Sequence, residues 1–451
     1  MIRATVLALV LSSAWLAEPA VAHFLFARIC PPAEGGRAAE VYFSEYAHAG
    51  DPRYIDRMST GQFYLQTRPG EFRPLAMHKL ADRLRAHVPT EGSLLVVGQL
   101  DFGVLERPMT PPFLLRHYSK AVAGLPAEVN RQDAKGTPVE IMATFTDDHV
   151  QLTALLNGRP MPGVTFTTVD YNLSSEELKA DDAGRVKFAP PETGIYCVYI
   201  RHDDPTPGEH GGKAYKEVKQ FATLSFQWPL ARTAADPEAV KLFQDALAAR
   251  AAWQDFPGFT AKIAADLDDR PAEGTIDVAA DGSVKIDLGS DSVHPWLQEQ
   301  LESITMHRAA SQTPRADRPQ PVLRFADLQV DHPLGRLLAF QGGHFATSYR
   351  VKDRQISVVN RLLEGQNMTI TVLANETNAE GKYLPHSYTV QHWDDATGDL
   401  VKTEAVQDRW TRVDRWDLPS ERTTTTASGD GFSVRSFTLT EHKLAEPKAA
   451  K

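Results

Sequence analysis

The most specific chemistry in this chain can be built on His23. Met1-Ile2-Arg3, the apolar run at 4–17 (ATVLALVLSSAWLA), Pro19 and the small residues Ala20-Val21-Ala22 have the form of an export signal. Cleavage after Ala22 would leave His23 first. A free N-terminal histidine offers its α-amine and Nδ1, which close a six-membered chelate on one metal ion. A nitrogen from a second histidine would complete a brace of the kind copper favours. The plainer reading is that His23 is simply where the signal ends. Cys30 and Cys197 are the two thiols of the chain. An oxidising compartment would permit a disulfide between them, worth about 4–5 kcal/mol over so long a loop. Two buried free thiols are the alternative.

Other reactive patterns are missing. The sequence has no G-x-S-x-G elbow, phosphate loop, dinucleotide fingerprint, H-E-x-x-H helix or Cys-x-x-Cys pair. A binding protein is therefore expected rather than an enzyme. With 58 acidic against 48 basic side chains, the net charge of -10 argues against nucleic acid as a partner. The apolar run at 4–17 is short for a membrane span, and no later segment approaches the length needed. The chain after the signal is expected to be soluble, and periplasmic or extracellular.

The elements that must position these residues read as mainly β. From 23 to 137, HFLFARI, EVYFSEY and SLLVVGQLDFGV are strand-like, the last as two short strands with a turn. Segments 77–87 and 112–122 read as short helices. From 138 to 229, PVEIMATF, HVQLTALLNG, GVTFTTVD, RVKFAPP, GIYCVYIRH and ATLSFQW are six strand-like runs, a β-sandwich pattern. A boundary falls at 230–237. Beyond it, Asp236 and Pro237 open a helix as N-cap and first helical residue. From 256 the pattern is antiparallel again, with a hairpin turn at Asp281-Gly282, a helix over VHPWLQEQLESITMHR and another turn at 395–398. The tail 446–451 is expected to be disordered. The predicted fold is thus tandem Ig-like β-sandwich modules (23–137 and 138–229) followed at 237–445 by a curved antiparallel sheet with one or two packed helices.

Residues 23–228 resemble a secreted bacterial domain family of unknown function found beside nickel and cobalt uptake systems. The resemblance rests on the His-Phe-Leu-Phe start, FSEYAHAGD at 43–51, DFGV and PPFLLRHYSK within 101–120, LLNGRPMPGVTF, DDAGRVKFAPPETGIYCVYIRH and KAYKEVKQFATLSF. The second half is also similar to transthyretin-like Ig sandwiches. This resemblance implies a periplasmic protein handling copper, nickel or cobalt ions. It pairs His23 with His48 and makes Asp51 a hydrogen-bond acceptor that orients a ligand imidazole. His202 and His210 are further candidates, with Asp203, Asp204 and Glu209 nearby. The alternative is an ordinary exposed loop, and His78, His87, His117 and His149 read as surface or hydrogen-bonding histidines.

Residues 237–445 resemble a second bacterial family of unknown function, through AVKLFQDALAARAAWQDFPGFTAKI, WLQEQLESITMHR, SYRVKDRQISVVNR, GKYLPHSYTVQHWDDATGDLV and LPSER. A curved sheet wrapping a helix is also the outline of periplasmic lipoprotein carriers. Phe256, Phe259, Trp296, Ile304, Met306, Phe340, Leu362 and Leu363 would then line a cavity for lipid or another small hydrophobe, or else form ordinary core. Three functions are thus expected to compete: metal binding at His23, hydrophobe binding in the C-terminal domain, and a structural or adhesive envelope role.

Overall fold

The computed structural model describes residues 23–130, 136–230, 235–289, 294–308, 322–327, 331–341, 348–363 and 365–446. The proposed signal at 1–22 and the tail from 447 lie outside the described residues. The chain is mainly β, as its alternating runs predict, and no helix among the described residues is long and apolar enough to cross a membrane.

The described residues from 23 to 230 form three layers. The middle layer is one eight-stranded sheet. It runs from Ser175–Lys179 through Thr165–Val169, Gly194–Asp204, Glu217–Trp228, Thr110–Ala123, Leu94–Arg107 and Gln62–Arg68 to Glu71–Pro74. One face packs on a four-stranded sheet that contains Phe24–Ile29 and Arg37–Ser44. The other face packs on a smaller sheet built from Val139–Phe145, Val150–Leu156 and Arg185–Phe188. The sequence boundary at 137 and 138 is therefore not a boundary in space. Thr110–Ala123 pairs in parallel with Glu217–Trp228 and carries the sheet across both modules.

That middle position explains two departures from expectation. Residues 112–122 form a strand, not a helix. Leu115, Ala121 and His117 face one layer while Tyr118 and Val122 face the other, so both sides are apolar and the period of two is masked. Residues 77–87 are also not helical: His78–Lys79 turns back to pair with Leu84–Val88, which alternates in burial. SLLVVGQLDFGV lies in a single strand, Leu94–Arg107, with a register shift between Asp101 and Gly103 in place of a turn.

The C-terminal part is a twelve-stranded antiparallel sheet. Gly258–Leu267, Pro271–Ala279 and Val284–Asp287 form one edge, with Gly282 at φ +85° in the expected hairpin turn. The chain then enters the opposite edge at Val322–Phe325. It meanders back strand by strand until Gly431–Leu444 pairs with Gly258–Leu267. Helix Pro237–Ala248 begins where Asp236 and Pro237 predict, although the Asp236 side chain makes no capping bond. It packs over the strands Val322–Phe325, Arg336–Gln341, Ser348–Lys352 and Gln355–Leu363 through Ala239, Ala246, Leu338 and Val351. Helix Pro295–Arg308 covers the other wing through Trp296, Leu297, Leu301 and Ile304 against Ile263, Ile276, Phe437 and Leu439. The central strands, Gln366–Thr377, Tyr383–Asp394 and Leu400–Val413, contribute little to either helix core.

The N-terminal layers dock on the far side of this sheet. Glu34 pairs with Arg350, and Gly35 N–H donates to Thr369 Oγ1 at 3.1 Å. The Thr90 hydroxyl lies 2.6 Å from Asp395 Oδ1 and 2.9 Å from Asn367 Oδ1, and His87 Nε2 is 2.7 Å from the Asp395 carbonyl. Gly36 has φ +103°, and a Cβ there would sit 2.7 Å from Asn367 Nδ2. Close approach and backbone conformation both require glycine at this position.

Candidate functional site

The histidines singled out from sequence fall into two groups on opposite faces of the eight-stranded sheet. His23 immediately precedes the strand Phe24–Ile29 and is half-buried, with its ring 6.0 Å from Phe43 and 5.8 Å from Tyr54. His48 is exposed and packs against Tyr46. Asp51 is taken up by Arg53, whose guanidinium and backbone N–H hydrogen-bond it and hold its carboxyl down at about 2; His23 adds a smaller push in the same direction. On the other face, His202, Gln220, Arg116 and Asp101 lie in one cross-strand row. His210 Nδ1 is 3.9 Å from Asp101 Oδ2, which already holds Arg116. Among the described residues, no group of three or more His, Cys, Asp or Glu side chains converges as metal ligands must.

The thiols are free, so the disulfide alternative gives way to the other. Cys30 Sγ donates to Glu40 at 3.3 Å, whereas Cys197 Sγ accepts from Ala47 N–H in a separate apolar cluster. Burial pushes Cys30 up to about 11 and Cys197 up to about 12, which leaves both as inert thiols at neutral pH. His117 is not a surface or hydrogen-bonding residue. It is fully buried among Phe43, Phe102 and Phe221, and neither ring nitrogen has a partner. Desolvation lowers its pKa to about 3. His78 is exposed, and His149 is hydrogen-bonded to Thr146 and Asp148.

Among the described residues, a cavity with both apolar walls and convergent polar groups lies in the C-terminal domain. It occupies about 330 Å³ over the central strands, between the two helices. The period of two in those strands sends Met368, Ile370 and Val372 to the cavity and Asn367 and Thr369 to the docking face. Val390 and Val406 continue the floor, and Ile304 and Phe243 come down from the helices. Of the eight apolar residues expected to line a cavity, Ile304 lines this one and Met306 the groove beside it. Phe256, Phe259 and Trp296 belong to the helix core, Phe340 to the opposite core, and Met306 is 66% exposed. Leu362 is half-buried and Leu363 exposed on the strand Gln355–Leu363, where Val359 and Arg361 face the cavity.

Charges sit among these apolar groups. Asp408 and Arg422 face each other across neighbouring strands and form a bidentate pair at 2.7 and 2.8 Å. Arg422 also donates to Gln300 Oε1 and to Tyr388 Oη, and burial pushes the Tyr388 phenol up to about 12. Burial alone would raise Glu404, but His392 at 3.4 Å and the charge of Lys402 hold its carboxyl below the usual range. Arg308 is buried, donates to the Ala251 carbonyl at 3.0 Å and lies over Trp410. Burial, then the charge of Arg250, pulls Arg308 down to about 10. A second groove of about 1100 Å³ adjoins the cavity and shares Leu247, Arg250, His307 and Arg308 with it. Those four residues form its mouth. Sequence reasoning missed the charged liners. The signal was there: Glu404-x-Val406-x-Asp408-x-Trp410 puts charge and apolar bulk on one face of one strand.

No curated protein matches the chain. Among solved structures, a chain described as a "Ca2+-stabilized adhesin" that "helps an Antarctic bacterium reach out and bind ice" aligns over 92% of this chain and 98% of its own. The identity is 10% and the TM-score 0.12, so that likeness carries no argument. Residues 234–445, which hold the cavity, carry a domain of the family described as protein of unknown function (DUF3386).

Proposed function

We propose that this is an exported binding protein whose C-terminal domain takes a small hydrophobic ligand into the cavity over its central strands. The observation that carries the reading is the uncovered middle of the sheet. Two helices seal the wings with separate cores, while Met368, Ile370, Val372, Val390 and Val406 line an open volume between them. Its size lies at the lower end of the range for small-molecule sites, and the Asp408–Arg422 pair in its wall is already hydrogen-bonded.

Delipidated full-length protein is expected to give saturable fluorescence enhancement with N-phenylnaphthylamine, a neutral apolar probe. Organic extraction before delipidation is expected to release an apolar small molecule. Met368→Trp, which fills the floor, should abolish probe uptake while unfolding cooperatively. Absence of both uptake and extracted ligand in the wild type would remove this reading.

A further inference from the structure

The charge count inside the cavity is unbalanced. Four arginines line it, Arg250, Arg308, Arg361 and Arg422, against two carboxylates, Glu404 and Asp408. Asp408 is committed to Arg422, and Glu404 to His392 and Lys402. Among the described residues, none of the other three arginines has a carboxylate within ion-pair distance. They gather round His307, and desolvation together with the charges of Arg361, Arg250 and Arg308 outweighs the hydrogen bond that His307 Nδ1 donates to the Ser303 carbonyl and lowers its pKa to about 4. His307 is exposed and lines both the cavity and the adjoining groove, so the cluster reaches from the buried Arg308 to the mouth.

Structural roles account for part of this. Cations at the C-terminus of helix Pro295–Arg308 are favourable, Arg250 Nη2 donates to the His307 carbonyl, and Arg308 Nη1 donates to Ala251. Each uses one of a guanidinium's five N–H groups. Arg361 is different. It belongs to neither helix but to the strand Gln355–Leu363, and it has no hydrogen-bond or ion-pair partner among the described residues. It shares a cross-strand row with Met368 and His392, so its charge borders the apolar floor.

Resting on the cavity reading above, we infer that the ligand is an amphipath whose anionic headgroup, a carboxylate or phosphate monoester, is held at the mouth by Arg361, Arg308 and Arg250. The apolar tail lies along Met368, Ile370 and Val390. Guanidinium forks match the two oxygens that either headgroup presents.

Displacement of N-phenylnaphthylamine from delipidated full-length protein tests this with ligands of one chain length: lauric acid, lauryl phosphate, lauryl alcohol and methyl laurate. At least one anion should compete about tenfold or more better than the alcohol and ester, the worth of a charge-assisted hydrogen bond. Which anion wins separates the carboxylate from the phosphate source. Arg361→Gln should reduce that preference, read as the ratio of anion to alcohol competition, by about tenfold, and Arg361→Lys should recover part of it. Equal competition by all four ligands, with the probe bound, overturns the headgroup inference and leaves the cavity reading standing. Failure of probe and anions alike overturns both. If Arg361→Gln also loses the probe, Arg361→Lys decides: recovered anion preference supports the inference, and none overturns it.

Discussion

His117 shows how much one buried residue can set the pH response of the molecule. Its imidazole has no polar partner and stays neutral in the folded state down to about 3, while the unfolded chain protonates it near 6.5. The sign follows directly. Below 6.5 the unfolded state binds the extra proton, so this group lowers stability as pH falls towards 3, by up to about 1.4 kcal/mol per pH unit. His117→Leu is expected to be at least as stable at neutral pH, because it removes an unpaired buried N–H. Its stability should then fall less steeply than the wild type between pH 6 and pH 4, in urea titrations at matched pH. Equal slopes would show that His117 is hydrated or paired in solution. Nothing local in PPFLLRHYSK distinguishes such a histidine from an exposed one, because its surroundings come from Phe43, Phe102 and Phe221 on other strands.

Among the elements, helix Pro295–Arg308 does two jobs with two faces. Trp296, Leu297 and Leu301 seal one wing of the sheet, and Gln300, Ser303, Ile304 and His307 line the cavity. Leu297 is fully buried, so Leu297→Ala should cost about 2–5 kcal/mol in urea unfolding. Met306 is exposed, and Met306→Ala should stay within about 0.5 kcal/mol. Similar losses in both would mean that the helix is not seated as described. The helix, its Pro237-initiated counterpart and the Asp281-Gly282 hairpin were legible because caps, turns and period 3.6 are local signals. Thr110–Ala123 was not, because burial on both faces erases the alternation that marks a strand.

At the scale of the whole molecule, the cavity domain and the N-terminal layers are joined by a polar contact on the sheet's outer face. Asn367, Thr369 and Asp395 receive Gly35, His87 and Thr90 there, one residue out of phase with the cavity floor. Gly36→Ala is expected to push against Asn367 and break this seat. Calorimetry should then resolve two transitions where the wild type gives one coupled transition. A single unchanged transition would mean that the contact does not couple the parts. Because the seat lies behind the floor, probe binding by the isolated cavity should survive the change.

Several properties of this protein follow from its residues alone. Alternating runs make it mainly β, Asp236-Pro237 starts a helix, and the motifs from 239 onwards mark the domain found at 234–445. These signals are short-range, and the chain carries them wherever it goes. Tertiary structure decided the rest. It placed Asp408 opposite Arg422, left Arg361 facing apolar floor, separated Cys30 from Cys197, and ran one sheet through two sequence modules. Each depends on strand register between distant segments, and a shift of one residue would turn every such side chain to the opposite face.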